Sequence, residues 1–194
     1  MKRVLQISLA AAFVAGTALY ANTTAKTSSP PNLAKPSKYM TNEEVIFLPT
    51  DPESAWAFWT STPITDFLKA TDRIPAIDSI EPVEGEWGTP GAIRRVNLAD
   101  GGTVLERVLT ADEDEFTYQI WDIETGAGRF INHIYGEFRL RAVEGGSEIT
   151  WRYNVKPAIF IARPFIRRYL NNDFDPFMEG GMAGMKQAFE AGGS

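Results

Sequence analysis

The 194-residue chain has no cysteine and a single histidine, His133. The first absence excludes disulfides, thiolate metal sites, cysteine nucleophiles and the acylated cysteine of a bacterial lipoprotein. The second leaves every histidine-dependent mechanism to one imidazole. The parity of His133 with Tyr135 and Glu137 places it on the outer face of a strand, where a surface role is expected. Phosphate-binding glycine patterns are missing too, because Gly126 and Gly128 have no third glycine at the required offset and no strand-to-helix context. Asp112 to Glu115 shares only its charge with a calcium loop. It lacks the sixth-position glycine and the distal glutamate, so it reads as a solvated hairpin tip. No metal or cofactor is expected. The formal charge of −6, which deepens by two if Lys2 and Arg3 are removed, repels phosphate backbones and argues against nucleic acid as a partner.

What is present begins with a targeting pattern. Met1, Lys2 and Arg3 form a basic start, Val4 to Ala21 an apolar run, and Asn22 to Ser29 a polar continuation. That order predicts a secretory signal peptide over residues 1–25, with cleavage between Ala21 and Ala25, and a periplasmic or secreted protein. The alternative is an uncleaved membrane anchor, since a helix over Val4–Ala21 spans about 27 Å. Residues 26–38 are rich in Thr, Ser, Pro, Asn and Lys without periodicity and predict a flexible linker. One domain is expected over 39–191.

Within that domain Tyr39 to Leu48 reads as a first strand. Asp51 as N-cap and Pro52 at the first helical position then open a short helix carrying Trp56 and Trp59. A second short helix is expected near Thr65 to Ala70. Strands follow over Ile77–Glu84, Ala92–Leu98, Thr103–Leu109, Phe116–Ile123, Phe130–Val143 and Glu148–Val155, separated by turn-forming residues at hairpin spacing. At the C-terminus Asp175-Pro176 predicts a fresh helix start, and Met178, Met182, Met185 and Phe189 recur on one helical face. This order implies α+β architecture, an antiparallel meander with helices on one side.

Three local patterns in this order resemble the START-related lipid-binding (SRPBCC) superfamily, in particular its polyketide cyclase/dehydrase-like branch. They are Pro52-Glu53-Ser54-Ala55-Trp56 after the opening strand; Gly91-Ala92-Ile93-Arg94-Arg95-Val96 leading through Asp100-Gly101-Gly102 to Leu105-Glu106-Arg107-Val108-Leu109; and Gly146-Ser147-Glu148-Ile149-Thr150-Trp151 followed by Gly181-Met182-Ala183-Gly184-Met185-Lys186. The resemblance implies a helix-grip fold, a curved antiparallel sheet wrapped around a long C-terminal helix with a ligand cavity between them. Superfamily members include carriers, receptors and aromatase/cyclases, so fold alone fixes no activity.

Strand alternation assigns faces to the candidate site residues. Ile149, Trp151, Tyr153 and Val155 are expected inward, as are Phe116, Tyr118 and Ile120; Trp121 breaks the pattern and suggests a bulge. Phe130, Asn132, Ile134 and Phe138 are expected inward, with Asn132 a polar group on an apolar wall. Arg94 and Glu106 are expected to pair on the cavity floor, either to orient a ligand or as an internal salt bridge. The stripe of Met178, Met182 and Met185 is either a compliant cavity wall or plain core. Arg163, Arg167 and Arg168 beside Phe160, Phe165 and Ile166 either touch a membrane surface transiently or form a solvated helix face.

Three functions remain open. The first is an exported carrier of a lipid, terpenoid or aromatic molecule. The second is a cyclase, dehydratase or hydrolase in which Glu106 or Tyr118 moves protons. The third is an interaction module whose cavity is filled by its own side chains.

Overall fold

The computed structural model describes residues 28–192, so the expected signal peptide lies outside the described residues. Alternating polar and apolar positions produce seven strands: β1 (Met40–Leu48), β2 (Ile77–Glu84), β3 (Ile93–Leu98), β4 (Thr103–Ala111), β5 (Glu115–Trp121), β6 (Ile131–Val143) and β7 (Gly146–Pro157). They form one antiparallel sheet in the order β1-β7-β6-β5-β4-β3-β2. The meander β2 to β7 follows from tight turns, such as Glu144-Gly145 between β6 and β7, where Gly145 takes φ +81°. Register shifts interrupt the ladders between β2 and β3, between Val108 and Thr110 of β4, and between Ile131 and His133 of β6. Each inserted residue bends its strand and adds twist, which curves the sheet into a bowl.

Helices close the bowl. In α1 (Pro52–Ser61), Asp51 accepts a 2.9 Å bond from the Ser54 amide and Pro52 occupies the first turn, as the sequence predicts. The second helix, α2 (Ile64–Phe67), is a single turn. The C-terminal region is α3 (Arg163–Tyr169) and α4 (Asp175–Gly192). The fresh start expected at Asp175 is not seen. Leu170–Phe174 form a π-helical turn, and Asp175 itself has helical angles of φ −57° and ψ −52°. The wider turn absorbs the amide that Pro176 lacks, so α3 and α4 run on without a break.

Met178, Met182 and Met185 are fully buried on the face of α4 that packs against the sheet beside β1. On the neighbouring side of α4 the approach is made through glycine. A Cβ at Gly181 would lie 2.5 Å from the end of the Leu68 side chain, and one at Gly184 would lie 3.0 Å from the Phe67 carbonyl oxygen, so glycine eases the close approach of α2 and the residues after it to α4.

The convex face is charged over part of its area, with cross-strand pairs Glu43–Arg152, Glu115–Arg139 and Arg141–Glu148. Elsewhere it is covered. Residues 28–38, expected to be a flexible linker, lie across this face. Trp121 donates from Nε1 to the Ser28 carbonyl at 3.0 Å, and Gln119 donates from Nε2 to the Pro31 carbonyl at 2.8 Å. The expected bulge at Trp121 is therefore replaced by a lid. Its ring points outward, as the parity of β5 requires, yet is only 2% exposed because the N-terminal arm covers it. His133 likewise sits on the outer face and is only 1% exposed, which overturns the expected surface role. Tyr39 receives the Ala34 amide on its hydroxyl at 3.0 Å and approaches His133 Nε2 at 2.9 Å, while His133 Nδ1 lies 2.7 Å from Asn132 Oδ1. The hydroxyl proton of Tyr39 is thus directed at Nε2 and the ring proton sits on Nδ1, the neutral tautomer.

Candidate functional site

The concave face and the helices enclose a cavity of about 230 Å³. Its walls come mainly from the inward positions of β3 to β7, with α2 and the segment after it at one side and Tyr169, Phe174 and Phe177 at the other. Most of the wall is apolar, including Leu68, Ile74, Val96, Leu98, Val104 and Ile120.

Arg94, Glu106, Tyr118, Trp151 and Tyr153 line this space. Arg94 and Glu106 are directly opposite in the β3–β4 ladder, so their side chains emerge on the same face. Arg94 is 7% exposed and Glu106 8%. Nε and Nη2 of Arg94 both donate to Glu106 Oε2 at 2.6 Å, while the guanidinium lies 3.6 Å from the centre of the Trp87 ring. Both contacts from Arg94 reach the same carboxylate oxygen, and Oε1 has no partner among the described residues. Tyr118 accepts a 3.1 Å bond from Trp151 Nε1, which leaves its own proton to donate. Burial pushes the Tyr118 hydroxyl pKa well up, and the negative charge of Glu106 pushes it further, so the phenol is a proton donor and not a phenolate. Tyr153 is raised for the same first reason, its burial against Phe174 at a ring separation of 4.1 Å.

Tyr118 owes its position to the strand beside it. Gly136 of β6 is its cross-strand partner, and a Cβ there would overlap the Tyr118 ring. The empty position lets the ring lie flat across β6. Aromatic side chains then fill part of the bowl: Phe138 stacks on Trp151 at 5.3 Å, and Trp59 meets Phe138 at 4.8 Å and Phe116 at 5.3 Å. The cavity is the space these rings leave.

Four expected lining residues lie elsewhere. Asn132 is the extra residue of the β6 bulge: Ile131 pairs with Pro157 and His133 with Lys156, which ejects Asn132 from the alternation. It is exposed, and Ile131 takes the inward position. Met178, Met182 and Met185 belong to the core between α4 and the sheet and do not border the cavity. The α4 residue that does is Phe177, one position off the methionine face. Alternation did not reveal Trp87 or the Thr125–Gly128 loop, because neither sits in a strand. A tryptophan within the Gly85–Gly91 turn was the available signal, since a large ring in a turn needs something to pack against.

A sequence profile of the family described as "Polyketide cyclase / dehydrase and lipid transport" matches residues 41–190. Solved structures with a similar backbone include Ara h 8.0201, with a TM-score of 0.53, 23% identity, and coverage of 79% of this chain and 99% of that one. Major latex-like protein 151 from Panax ginseng has a TM-score of 0.56 and 13% identity over 78% of this chain and 98% of its own. The di-domain ARO/CYC StfQ from the steffimycin biosynthetic pathway has a TM-score of 0.56 and 16% identity, covering 80% of this chain and 53% of that one. Comparison with curated proteins gives no match. Identities at this level speak for the fold alone. The profile spans nearly the whole domain and coincides with a curved seven-stranded sheet gripping a C-terminal helix, so the chain belongs to the polyketide cyclase/dehydrase and lipid transport family and has its helix-grip fold.

Proposed function

We propose that this protein binds and carries a compact apolar or amphipathic small molecule, held in the cavity beside Arg94 and Glu106, outside the cytoplasm. The observation that carries the reading is an apolar hollow of about 230 Å³ with one polar cluster on its wall. An engineered apolar cavity of about 150 Å³ binds benzene, and ligand pockets begin near 300 Å³. A hollow of this size fits an aromatic of one or two rings or a small terpenoid. The free Oε1 of Glu106 accepts a hydrogen bond and the Tyr118 hydroxyl donates one. A ligand hydroxyl satisfies both, so the polar end of the molecule is assigned to that wall. The basic start and apolar run before Asn22 support export.

The test is extraction of purified protein into organic solvent with mass spectrometry of the extract, followed by thermal-shift measurements against phenols, naphthols and monoterpenols. A bound molecule, or stabilisation by members of the panel that Glu106→Gln abolishes, is expected. An empty extract together with no stabilisation across the panel would refute the proposal. Chemical alteration of a panel member, lost in Glu106→Gln, would reassign the cavity to catalysis.

A further inference from the structure

At the end of the sheet where β5 stops and β7 ends, the chain places four large apolar side chains in water. Ile159, Phe160, Ile161 and Phe165 are 61%, 86%, 73% and 61% exposed. They do not belong to the core-facing side of this segment, since Ala162 and Ile166 fill that role at 1% and 0% exposure. The surface of α3 and the turn before it is therefore apolar outward as well as inward. A solvated helix face has no reason to be so, because exposing rings and branched chains at a tip costs hydration free energy without any packing return.

The same segment carries Arg163, Arg167 and Arg168. Among the described residues every arginine of the ion pairs belongs to the sheet, and none of these three has a carboxylate partner. In a chain of formal charge −6, three unneutralised guanidiniums directly behind an apolar tip form a local reversal of charge. Arg163 and Arg167 also line a polar groove of about 360 Å³ together with Thr41, Asn42 and Asn171. Asp175, a carboxylate, accepts from Asn42 at 3.0 Å. Asn42 spends its amide protons on the Leu170 carbonyl and Asp175, so the groove's donors for a phosphate oxygen are the guanidiniums of Arg163 and Arg167.

We infer that this tip docks the domain on an anionic lipid bilayer, with Ile159, Phe160, Ile161 and Phe165 entering the interface and Arg163, Arg167 and Arg168 meeting lipid phosphates. Apolar residues at the apex and a cationic collar behind them are what interfacial insertion requires. A protein partner is the less fitting occupant, since the apolar residues protrude from a turn and do not line a recess. Docking also brings the cavity to the membrane. Phe165 stacks on Phe130 at 5.5 Å, and their neighbours Tyr169, Gly128 and Ile131 are cavity wall. The inference stands on the surface alone and holds whether or not the cavity carries a ligand.

The absence of cysteine makes a single-site test direct. Phe160→Cys in the chain beginning at Lys26, labelled with an environment-sensitive fluorophore, is mixed with phosphatidylcholine vesicles with or without phosphatidylglycerol. Glu113→Cys, on the hairpin tip at the other end of the sheet, carries the same label as the control. The label at position 160 is expected to shift to the blue on anionic vesicles, with no response at position 113. A Lys or Arg near an anionic surface contributes roughly fivefold to partitioning, so Arg163→Glu/Arg167→Glu/Arg168→Glu is expected to weaken the response by roughly a hundredfold or more. Equal responses at both positions, equal responses on neutral vesicles, or an undiminished response in the charge-reversed chain would each overturn the inference. All three arginines lie at or near the surface, so the circular dichroism of the variant is expected to match the parent.

Discussion

Replacing Glu106 alone is expected to cost far more than replacing Glu106 and Arg94 together. In Glu106→Leu the guanidinium of Arg94, 7% exposed, keeps its charge and loses both bonds to Oε2. Breaking a buried pair from one side costs about 3–5 kcal/mol. The lower end applies here, because the Trp87 ring 3.6 Å from the guanidinium still attracts it and the cavity admits water to one side. At roughly 2–4 °C per kcal/mol for a domain of this size, a loss of about 3 kcal/mol lowers Tm by roughly 6–12 °C. Arg94→Met should behave similarly, leaving the carboxylate unpaired. The double variant Arg94→Met/Glu106→Leu buries no charge and is expected within about 1 kcal/mol of the parent. Urea denaturation followed by tryptophan fluorescence measures all four proteins, and Trp87 reports on the pair itself. If the single changes sum to the double within about 0.5 kcal/mol, the two groups are not coupled and the account of the cavity wall fails. The double variant separates fold from function as well. It is expected to fold and to retain no ligand, whereas retention would show that the pair only closes a salt bridge.

Gly136→Ala places a methyl group where the Tyr118 ring lies; a destabilisation of about 1–3 kcal/mol is expected from overpacking, with changed near-ultraviolet circular dichroism. Burial, followed by the charges of Lys156 and Arg107, holds the His133 pKa down at about 4. Its unfolded value is near 6.5, so the unfolded chain binds the extra proton first. Stability is therefore complete above about pH 6.5 and lost as pH falls towards about 4. In His133→Gln that part of the acid sensitivity should be absent, which denaturation midpoints across this window measure. A chain beginning at Tyr39 loses the bonds to Gln119 and Trp121; at about 1 kcal/mol per bond plus the uncovered Trp121 ring, it should be at least about 2 kcal/mol less stable than one beginning at Lys26, with red-shifted tryptophan emission.

The strands were legible because period-two patterning and turn residues agree. Arg94 opposite Glu106 follows from counting back through Asp100-Gly101-Gly102, and the structure sets them as Cα partners. Counting fails where an extra residue enters. Asn132 has a sequence that continues the alternation of β6, and no local feature marks the bulge that turns it out. His133 was read correctly as to direction and wrongly as to solvent, and Trp121 was read as a bulge where the ladder is regular. Gln119, Trp121 and His133 all point outward, but the cover over Gln119 and Trp121 comes from an arm many residues distant, whose Ser, Pro and Asn composition resembles a free linker. Long-range cover of this kind leaves no periodic trace in either partner. The outward tryptophan was its one local sign.

The methionine stripe shows where helical periodicity stops being informative. A single apolar face on α4 requires a surface to pack against, but it does not say whether that surface is sheet, ligand or both. The sheet beside β1 takes Met178, Met182 and Met185 completely, so α4 is anchored by side chains that leave no gap. The hollow arises on the neighbouring face, and there the decisive positions are the ones without side chains. Gly181 and Gly184 let Leu68 and the Phe67 backbone close over α4, while Gly136 gives the Tyr118 ring room to lie across β6. Large rings then occupy part of the bowl, and the remaining volume lies beside Arg94 and Glu106. The close approaches at these three glycines shape the surroundings of the hollow, and the methionines do not border it.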